Sequence, residues 1–167
     1  DSIYSGTKAM LIGFIIVVIF MIFYYNGSGL LANIGLILNL LIVLGVLAGL
    51  NATLTLPGIA GLILTIGMAV DANVIIFERI REELNQGKTV RAAIDSAYKK
   101  AFTTILDANL TTLIAAFVLL AVGSGPIKGF SITLSIGICS SMFTAIFITR
   151  TFYLFIMNNK TIKKLSI

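Results

Sequence analysis

The chain has 167 residues with a net charge of +5; 58% of them are hydrophobic and only 11% are charged. Soluble domains carry about 25% charged residues, so this composition excludes an ordinary water-soluble fold and makes lipid the main solvent. With no histidine and a single cysteine, Cys139, the chain also lacks the residues for an internal disulfide or for a metal site built on histidine and cysteine. No cofactor and no nucleic-acid partner are expected.

Five segments are apolar enough to cross a bilayer as helices, which takes about 20 residues each. Asn26-Gly27-Ser28-Gly29 forms a turn after the first, Thr55 can cap the third, and Ser124-Gly125-Pro126 forms a turn before the last. The sequence therefore predicts an all-α integral membrane protein, a bundle of five helices in one transmembrane domain over 1–167. The predicted spans are roughly 9–25, 30–50, 57–77, 101–122 and 129–155.

The segment 78–100 holds most of the charge and is predicted to be a loop outside the membrane. Asn85-Gln86-Gly87 is expected to end one helix, and Thr89 can cap the next. One face of that next stretch is apolar, which predicts an amphipathic helix lying at the membrane surface; its residues are Val90, Ile94, Ala97 and Ala101. The alternative is a solvated helix without a binding role.

The positive charges predict the orientation. Only Lys8 and Lys128 fall on one side of the predicted membrane, and the other side holds Arg79, Arg81, Lys88, Arg91, Lys99, Lys100, Arg150, Lys160, Lys163 and Lys164. By the positive-inside rule the loop 78–100 and the C-terminus are cytoplasmic, and the N-terminus lies outside. Since the chain begins at Asp1 without a signal of its own, we expect a longer protein, with a further helix and an exported domain upstream.

Two carboxyl groups, those of Asp71 and Asp107, lie inside predicted spans. A charge at that depth costs at least roughly 2.5–3.5 kcal/mol, so such residues are candidates for function. Each lies seven residues from the charged loop, which places both about 10 Å inside the boundary. The two helices are consecutive and antiparallel, so the carboxyls are expected at one level.

Polar companions surround these aspartates. The sequence Asp-Ala-Asn occurs at both sites, and Thr104, Asp107 and Thr111 share one helix face. Desolvation favours the neutral form of a carboxyl, so such a group can load and unload a proton. The residues predicted to form a proton relay are Asp71, Asp107, Asn73, Asn109, Thr111 and Thr112. The alternative is that the aspartates only help the helices to pack.

Other unusual residues in the spans are interpreted as packing features. Asn39 is expected to form an interhelical hydrogen bond, and the Gly45/Gly49 pair and the Gly61, Thr65, Ala69 ridge are expected to contact other helices. Glu78 is expected to pair with Arg79 or Arg81, the alternative being a proton exit on the cytoplasmic side, and Cys139 is expected to be buried.

Several motifs resemble the SecD/SecF family of bacterial protein-export membrane proteins. They are Thr53-Leu-Thr-Leu-Pro-Gly-Ile-Ala-Gly61, Thr65-Ile-Gly-Met-Ala-Val-Asp-Ala-Asn73, Phe77-Glu-Arg-Ile-Arg-Glu-Glu83, Ile105-Leu-Asp-Ala-Asn-Leu-Thr-Thr112, Gly125-Pro-Ile-Lys-Gly-Phe130 and Asp1-Ser-Ile3. The resemblance implies half of a membrane domain similar to that of the proton-driven RND transporters, in the bacterial inner membrane. It implies that the proton-motive force supports late steps of preprotein export, and that Asp71 is the key intramembrane carboxyl.

The partners implied by the resemblance are SecF, the SecYEG channel, YajC and the translocating preprotein. The family has six membrane helices, of which this chain would hold the last five. At the position of Asp107 the SecF members typically carry arginine, so a cation would face these carboxyls across the interface, and the assignment of Asp107 depends less directly on the resemblance.

Three other functions fit parts of the pattern. An intramembrane aspartyl protease also uses two aspartates, but Gly67-Met-Ala-Val-Asp71 and Ile105-Leu-Asp107 lack its Tyr-Asp and Gly-x-Gly-Asp signatures, so no enzyme is predicted. A passive assembly module would bind partners through its small-residue faces. Another RND-type transporter is disfavoured by the Thr53–Gly61 motif.

Overall fold

Residues 1–159 and 163–167 are described by a computed structural model, in which every regular element is a helix. The helices are α1 (Ser2–Gly49), α2 (Leu56–Asn85), α3 (Val90–Val122), α4 (Pro126–Phe143) and α5 (Thr149–Asn159), and the π-helical turn Thr144–Ile148 joins the last two. Within these residues, four helical stretches are long and apolar enough to cross a membrane: α1, α2, α3 and the run from Pro126 to Asn159. The all-helical prediction is confirmed for the described residues, and the count of five spans remains a prediction.

The helix ends follow from local capping. Thr55 Oγ1 accepts a hydrogen bond of 3.1 Å from Gly58 N at the start of α2, and Thr89 Oγ1 accepts one of 3.3 Å from Ala92 N at the start of α3. Between them α2 ends at Asn85, and Gly87 has φ 86°, a conformation that glycine adopts at little cost. The predicted caps and the predicted helix end are confirmed.

α1 folds back on itself at Asn26, whose φ of 51° and ψ of −122° lie outside the helical region. Asn33 Nδ2 donates a hydrogen bond of 3.1 Å to Val18 O, fifteen residues earlier. A straight helix would hold those residues about 22 Å apart, so the two halves of α1 must lie side by side. Gly29 permits this close approach, since a Cβ there would lie 1.9 Å from Met21 O.

α2 and α4 pack closely along a line of small residues. A Cβ on Gly137 would lie 2.2 Å from Thr65 Oγ1, and one on Gly61 would lie 3.3 Å from Phe130 O. Gly61, Thr65 and Ala69 are all buried, so the packing ridge predicted on α2 is confirmed.

Aromatic rings fill one end of the core. The ring centroids of Tyr25 and Phe77 lie 5.1 Å apart, and Tyr153 lies 6.4 Å from both Phe77 and Tyr98. We call this the charged end, because the Asn26–Ser28 turn, the end of α2, the start of α3 and α5 meet here together with most of the cations. The C-terminal residues also reach it, where Ser28 N donates a hydrogen bond of 3.0 Å to Ser166 O.

The opposite end of the bundle holds the remaining two cations of the predicted distribution. Lys128 lines a cavity with Asn51 and Thr55, and Lys8 lies two residues after Gly6, which contacts the start of α2. The structure therefore separates the cations as the sequence predicted, apart from Lys160, which lies outside the described residues.

Some expectations differ from the structure. The amphipathic stretch is not a separate surface helix: α3 is continuous from Val90 to Val122, because the apolar face with Ala97 and Ala101 is buried in the same core as the later turns. Cys139 is exposed. Gly45 and Gly49 face open space, so neither packs against another helix among the described residues.

Candidate functional site

A cleft of about 200 Å³ opens between α2 and α3 and contains the carboxyl of Asp71. We call it the Asp71 cleft. Asn109 and Thr112 of α3 line it opposite Asp71, and its remaining walls are apolar: Met68, Ala72, Ile75, Ile105 and Ala108. One ionisable group thus lies among hydrocarbon walls with two polar side chains beside it.

The two polar residues of α3 are oriented by their own helix. Asn109 Nδ2 donates a hydrogen bond of 2.8 Å to Ile105 O, and Thr112 Oγ1 donates one of 3.2 Å to Ala108 O. The Thr112 hydroxyl proton is engaged in this way, Asn109 retains one free amide N–H, and the oxygen atoms of both side chains remain as acceptors. The cleft therefore offers both a hydrogen-bond donor and hydrogen-bond acceptors beside the carboxyl of Asp71.

The predicted relay residues do not all meet in this cleft. Asp107 and Thr111 are exposed on another face of α3, where Thr111 Oγ1 donates a hydrogen bond of 3.0 Å to Asp107 O. Asn73 is buried, its Nδ2 donates a hydrogen bond of 3.1 Å to Ala69 O, and its Oδ1 has no partner among the described residues. Of the six predicted residues, Asp71, Asn109 and Thr112 line the cleft.

The Asp71 cleft lies on an open side of the bundle. Asp71 is exposed. Only 11% of an 18-residue apolar stretch of α3 is buried, against 56% of the corresponding stretch between Pro126 and Asn159. The surface around the cleft is therefore available to lipid or to further helices.

An ionic network lies two helical turns from Asp71, at the charged end. Tyr25 Oη donates a hydrogen bond of 2.8 Å to Glu78 Oε1, and Arg81 Nη1 lies 3.2 Å from the same oxygen. Arg79 pairs instead with Glu82 at 2.9 Å. The expectation that Glu78 pairs with a neighbouring arginine is confirmed for Arg81, and the contact with Tyr25 was not predicted.

Glu83 is a buried charge that the sequence did not reveal. Its carboxylate accepts hydrogen bonds from Lys100 and Lys88, which hold its pKa at about 2. The residue lies in a charge-rich segment where most side chains are solvated, so no pattern distinguished it. The contact ties the end of α2 to α3.

The described residues offer no set of ligands for a metal ion. Within 1–159 and 163–167, no three acidic or cysteine side chains converge to hold a metal ion. What the site offers is an ionisable group on an open face of long apolar helices, an arrangement typical of membrane transport proteins.

Comparison with known proteins identifies the family. Residues 3–159 match the family described as Protein export membrane protein SecD/SecF, C-terminal. The chain is 62% identical to the protein translocase subunit SecD of Desulfurispirillum indicum and 57% identical to that of Magnetococcus marinus, over its full length and 32% of each relative. The chain therefore belongs to the SecD/SecF family.

The fold agrees with this assignment. The crystal structure of SecDF, a translocon-associated membrane protein from Thermus thermophilus, superposes with a TM-score of 0.91 at 41% identity, covering 96% of this chain and 22% of the other. The chain thus spans about a third of the length of the curated relatives that it matches.

Proposed function

We propose that this chain is the membrane part of a Sec translocase accessory subunit that couples the proton-motive force to late steps of preprotein export. The observation that carries the proposal is the carboxyl of Asp71 in an apolar cleft, with Asn109 and Thr112 beside it, on the open side of the bundle. A carboxyl inside a membrane costs free energy, and its presence here favours a role that needs a titratable group.

The open side is where a partner would complete the site. In this proposal SecF presents a cationic group to Asp71 and Asp107, and protonation of Asp71 removes its charge and weakens that pairing. The two helical bundles then shift relative to one another, since a ligand that binds one arrangement better changes the populations of both. The movement is passed to exported domains that act on a preprotein leaving the SecYEG channel, with YajC as a further partner.

The proposal includes five membrane crossings in the bacterial inner membrane, with the N-terminus periplasmic and the C-terminus cytoplasmic. A straight helix of the 48 residues in α1 would be about 72 Å long, more than twice the hydrocarbon thickness of about 30 Å. The backbone reversal at Asn26 divides α1 into two segments that each match one crossing. The charged end then faces the cytoplasm.

The test uses the full-length protein with its partner subunits in inner-membrane vesicles. Asp71→Asn is expected to leave assembly intact and to abolish the stimulation of preprotein export by a proton gradient, because the amide cannot bind or release a proton. Asp107→Asn should cause a smaller loss. Glu82→Gln, which changes an exposed acid in the charged segment 78–100, should cause none. Proton flux into liposomes containing the same complexes gives an independent measurement.

Normal gradient-dependent export by Asp71→Asn would exclude the proton-coupling role. It would favour the second candidate, a passive assembly module, which one observation supports: Gly45 and Gly49 of α1 face open space and could receive a partner helix. That candidate predicts that Gly45→Leu disrupts the complex, as judged by co-purification of SecF, whereas Asp71→Asn behaves as wild type in every assay.

A further inference from the structure

A second cleft, of about 450 Å³, lies at the charged end between the start of α3 and α5. We call it the arginine cleft. Its composition differs from that of the Asp71 cleft, because it combines two guanidinium groups with an apolar wall. Its lining residues are Thr89, Arg91, Ala92, Ile94, Asp95, Arg150, Leu154 and Met157.

The charges in this cleft do not balance. Asp95 accepts a hydrogen bond of 2.7 Å from Arg150 Nη2 and also lies 3.3 Å from Lys99 Nζ. Lys99 and Arg150 together keep the pKa of Asp95 below its ordinary value, so this carboxylate is ionised at neutral pH. Arg91 makes no ion pair within the described parts of the chain, so the two arginines of the cleft share its single carboxylate, which also pairs with Lys99 outside the lining.

The backbone adds to the same positive field. Arg91 occupies the first turn of α3, where the helix dipole is positive and where no acidic residue is present. A cation in that position is unfavourable unless an anion lies nearby. The unfavourable placement of Arg91 is consistent with an anionic ligand.

The apolar wall limits what the ligand can be. Leu154 is 37% exposed and the adjacent Phe155 is 65% exposed, so an exposed apolar surface begins where the cleft ends. A small hydrophilic anion would leave this wall in contact with water. An amphiphile with a phosphate would satisfy both parts of the cleft.

We propose that the arginine cleft binds the headgroup of an anionic phospholipid, with the phosphate at Arg91 and Arg150 and an acyl chain along Leu154. Basic clefts between membrane helices, on the side rich in positive charge, have the chemistry for such headgroups. Lipid binding in this cleft requires no role for Asp71.

The test is native mass spectrometry of the full-length protein in detergent, titrated separately with phosphatidylglycerol, phosphatidylcholine and inorganic phosphate. Wild type is expected to retain phosphatidylglycerol over phosphatidylcholine, and Arg91→Gln should weaken retention about fivefold, as expected for the loss of one cation near a lipid surface. Arg91→Lys should recover most of the affinity. Arg79→Gln is the matched control, because Arg79 belongs to the same charged segment 78–100 but does not line the cleft.

Each other outcome would overturn the proposal. Equal retention of the two lipids would show that the cleft does not distinguish an anionic headgroup from a zwitterionic one. Unchanged affinity in Arg91→Gln would place the lipid elsewhere. Inorganic phosphate that competes with phosphatidylglycerol at equal concentration would identify a site for a free anion. Because Arg91 is exposed and makes no ion pair with any described residue, its replacement should not affect folding, which the melting temperature of the same sample checks.

Discussion

Two neighbouring threonines, Thr111 and Thr112, differ in their relation to Asp71. Both donate hydrogen bonds to the backbone of α3, yet only Thr112 lines the Asp71 cleft. They therefore offer a matched comparison in which the same chemical change is made inside and outside the candidate site.

We expect Thr112→Val to slow gradient-dependent export about threefold to tenfold, the effect of losing one hydrogen bond of about 1 kcal/mol. Valine keeps the shape of threonine and removes the hydroxyl oxygen that can accept a hydrogen bond from the protonated carboxyl of Asp71. Export rates in vesicles with and without a proton gradient measure the effect. Thr112→Ser should behave as wild type, and an equal loss in Thr111→Val would argue against the cleft as the site.

Glu83 gives a prediction about pH, because its pKa is about 2 in the folded protein and 4.5 ordinarily. A lowered pKa means that the carboxylate stabilises the fold fully above about pH 4.5 and that this contribution is lost as the pH falls towards about 2. The melting temperature of the purified protein should therefore fall as the pH is lowered from neutral to acidic values.

Replacing Glu83 should remove that part of the acid dependence. Glu83→Gln is expected to melt at a lower temperature than wild type at neutral pH, since Lys88 and Lys100 lose their buried partner. Glu82→Gln is the control, because Glu82 is exposed beside it. Identical pH profiles for wild type and Glu83→Gln would show that the buried pairing does not stabilise the protein.

At the scale of the helices, the reversal within α1 depends on an unusual backbone at Asn26. The combination φ 51°, ψ −122° belongs to the first central position of a type II′ turn, where glycine and asparagine are favoured. The residue type at this position should therefore control how easily the two halves of α1 come together.

We expect Asn26→Gly to maintain or raise the stability of the protein and Asn26→Val to lower it by about 1–3 kcal/mol, the usual cost of a strained backbone. Urea unfolding in detergent micelles, followed by circular dichroism, measures the difference. A valine variant as stable as the glycine variant would mean that the reversal is not fixed by this residue.

The contact between α2 and α4 is the second feature at this scale. Gly137→Ala is expected to destabilise the bundle by about 1–3 kcal/mol, because the added carbon would lie 2.2 Å from Thr65 Oγ1 and would force the helices apart. Gly67→Ala is the control on α2, since a Cβ there meets nothing within 4 Å. Comparable unfolding midpoints for the two variants would contradict the close packing.

For the whole molecule, the arrangement of the loops predicts their exposure on the two sides of the membrane. In the full-length protein with Cys139 replaced by serine, we expect Gln86→Cys to react with an impermeant maleimide only from the cytoplasm and Ser124→Cys only from the periplasm. Lys8→Cys distinguishes the number of crossings. It should react from the same side as Ser124→Cys if α1 crosses twice, and from the opposite side if α1 crosses once.

Much of this architecture could be predicted from local sequence. Thr55 and Thr89 start their helices and Gly87 separates them, because capping and turn conformations depend on a few neighbouring residues. The prediction of a separate surface helix was wrong. Its apolar face continues into that of the later turns of α3, and periodicity alone cannot tell a separate helix from the first turns of a longer one.

The site was predicted in part. Asp71, Asn109 and Thr112 line one cleft, whereas Asn73 is buried away from it and Asp107 lies on another face of α3. Spacing along a helix gives the relative rotation of residues within that helix. It does not give the rotation of the helix relative to its neighbours, which is why the six candidates could not be separated.

The sequence by itself determined that this protein belongs in a bilayer and where some of its helices start and stop, because transfer of apolar residues into lipid and the capping of helix ends are properties of short segments. Only the tertiary structure decided which polar groups share a cleft, which charge is buried and which surfaces stay open. Those outcomes depend on how small residues such as Gly61 and Gly137 let α2 and α4 approach, and thus on contacts between residues far apart in the chain.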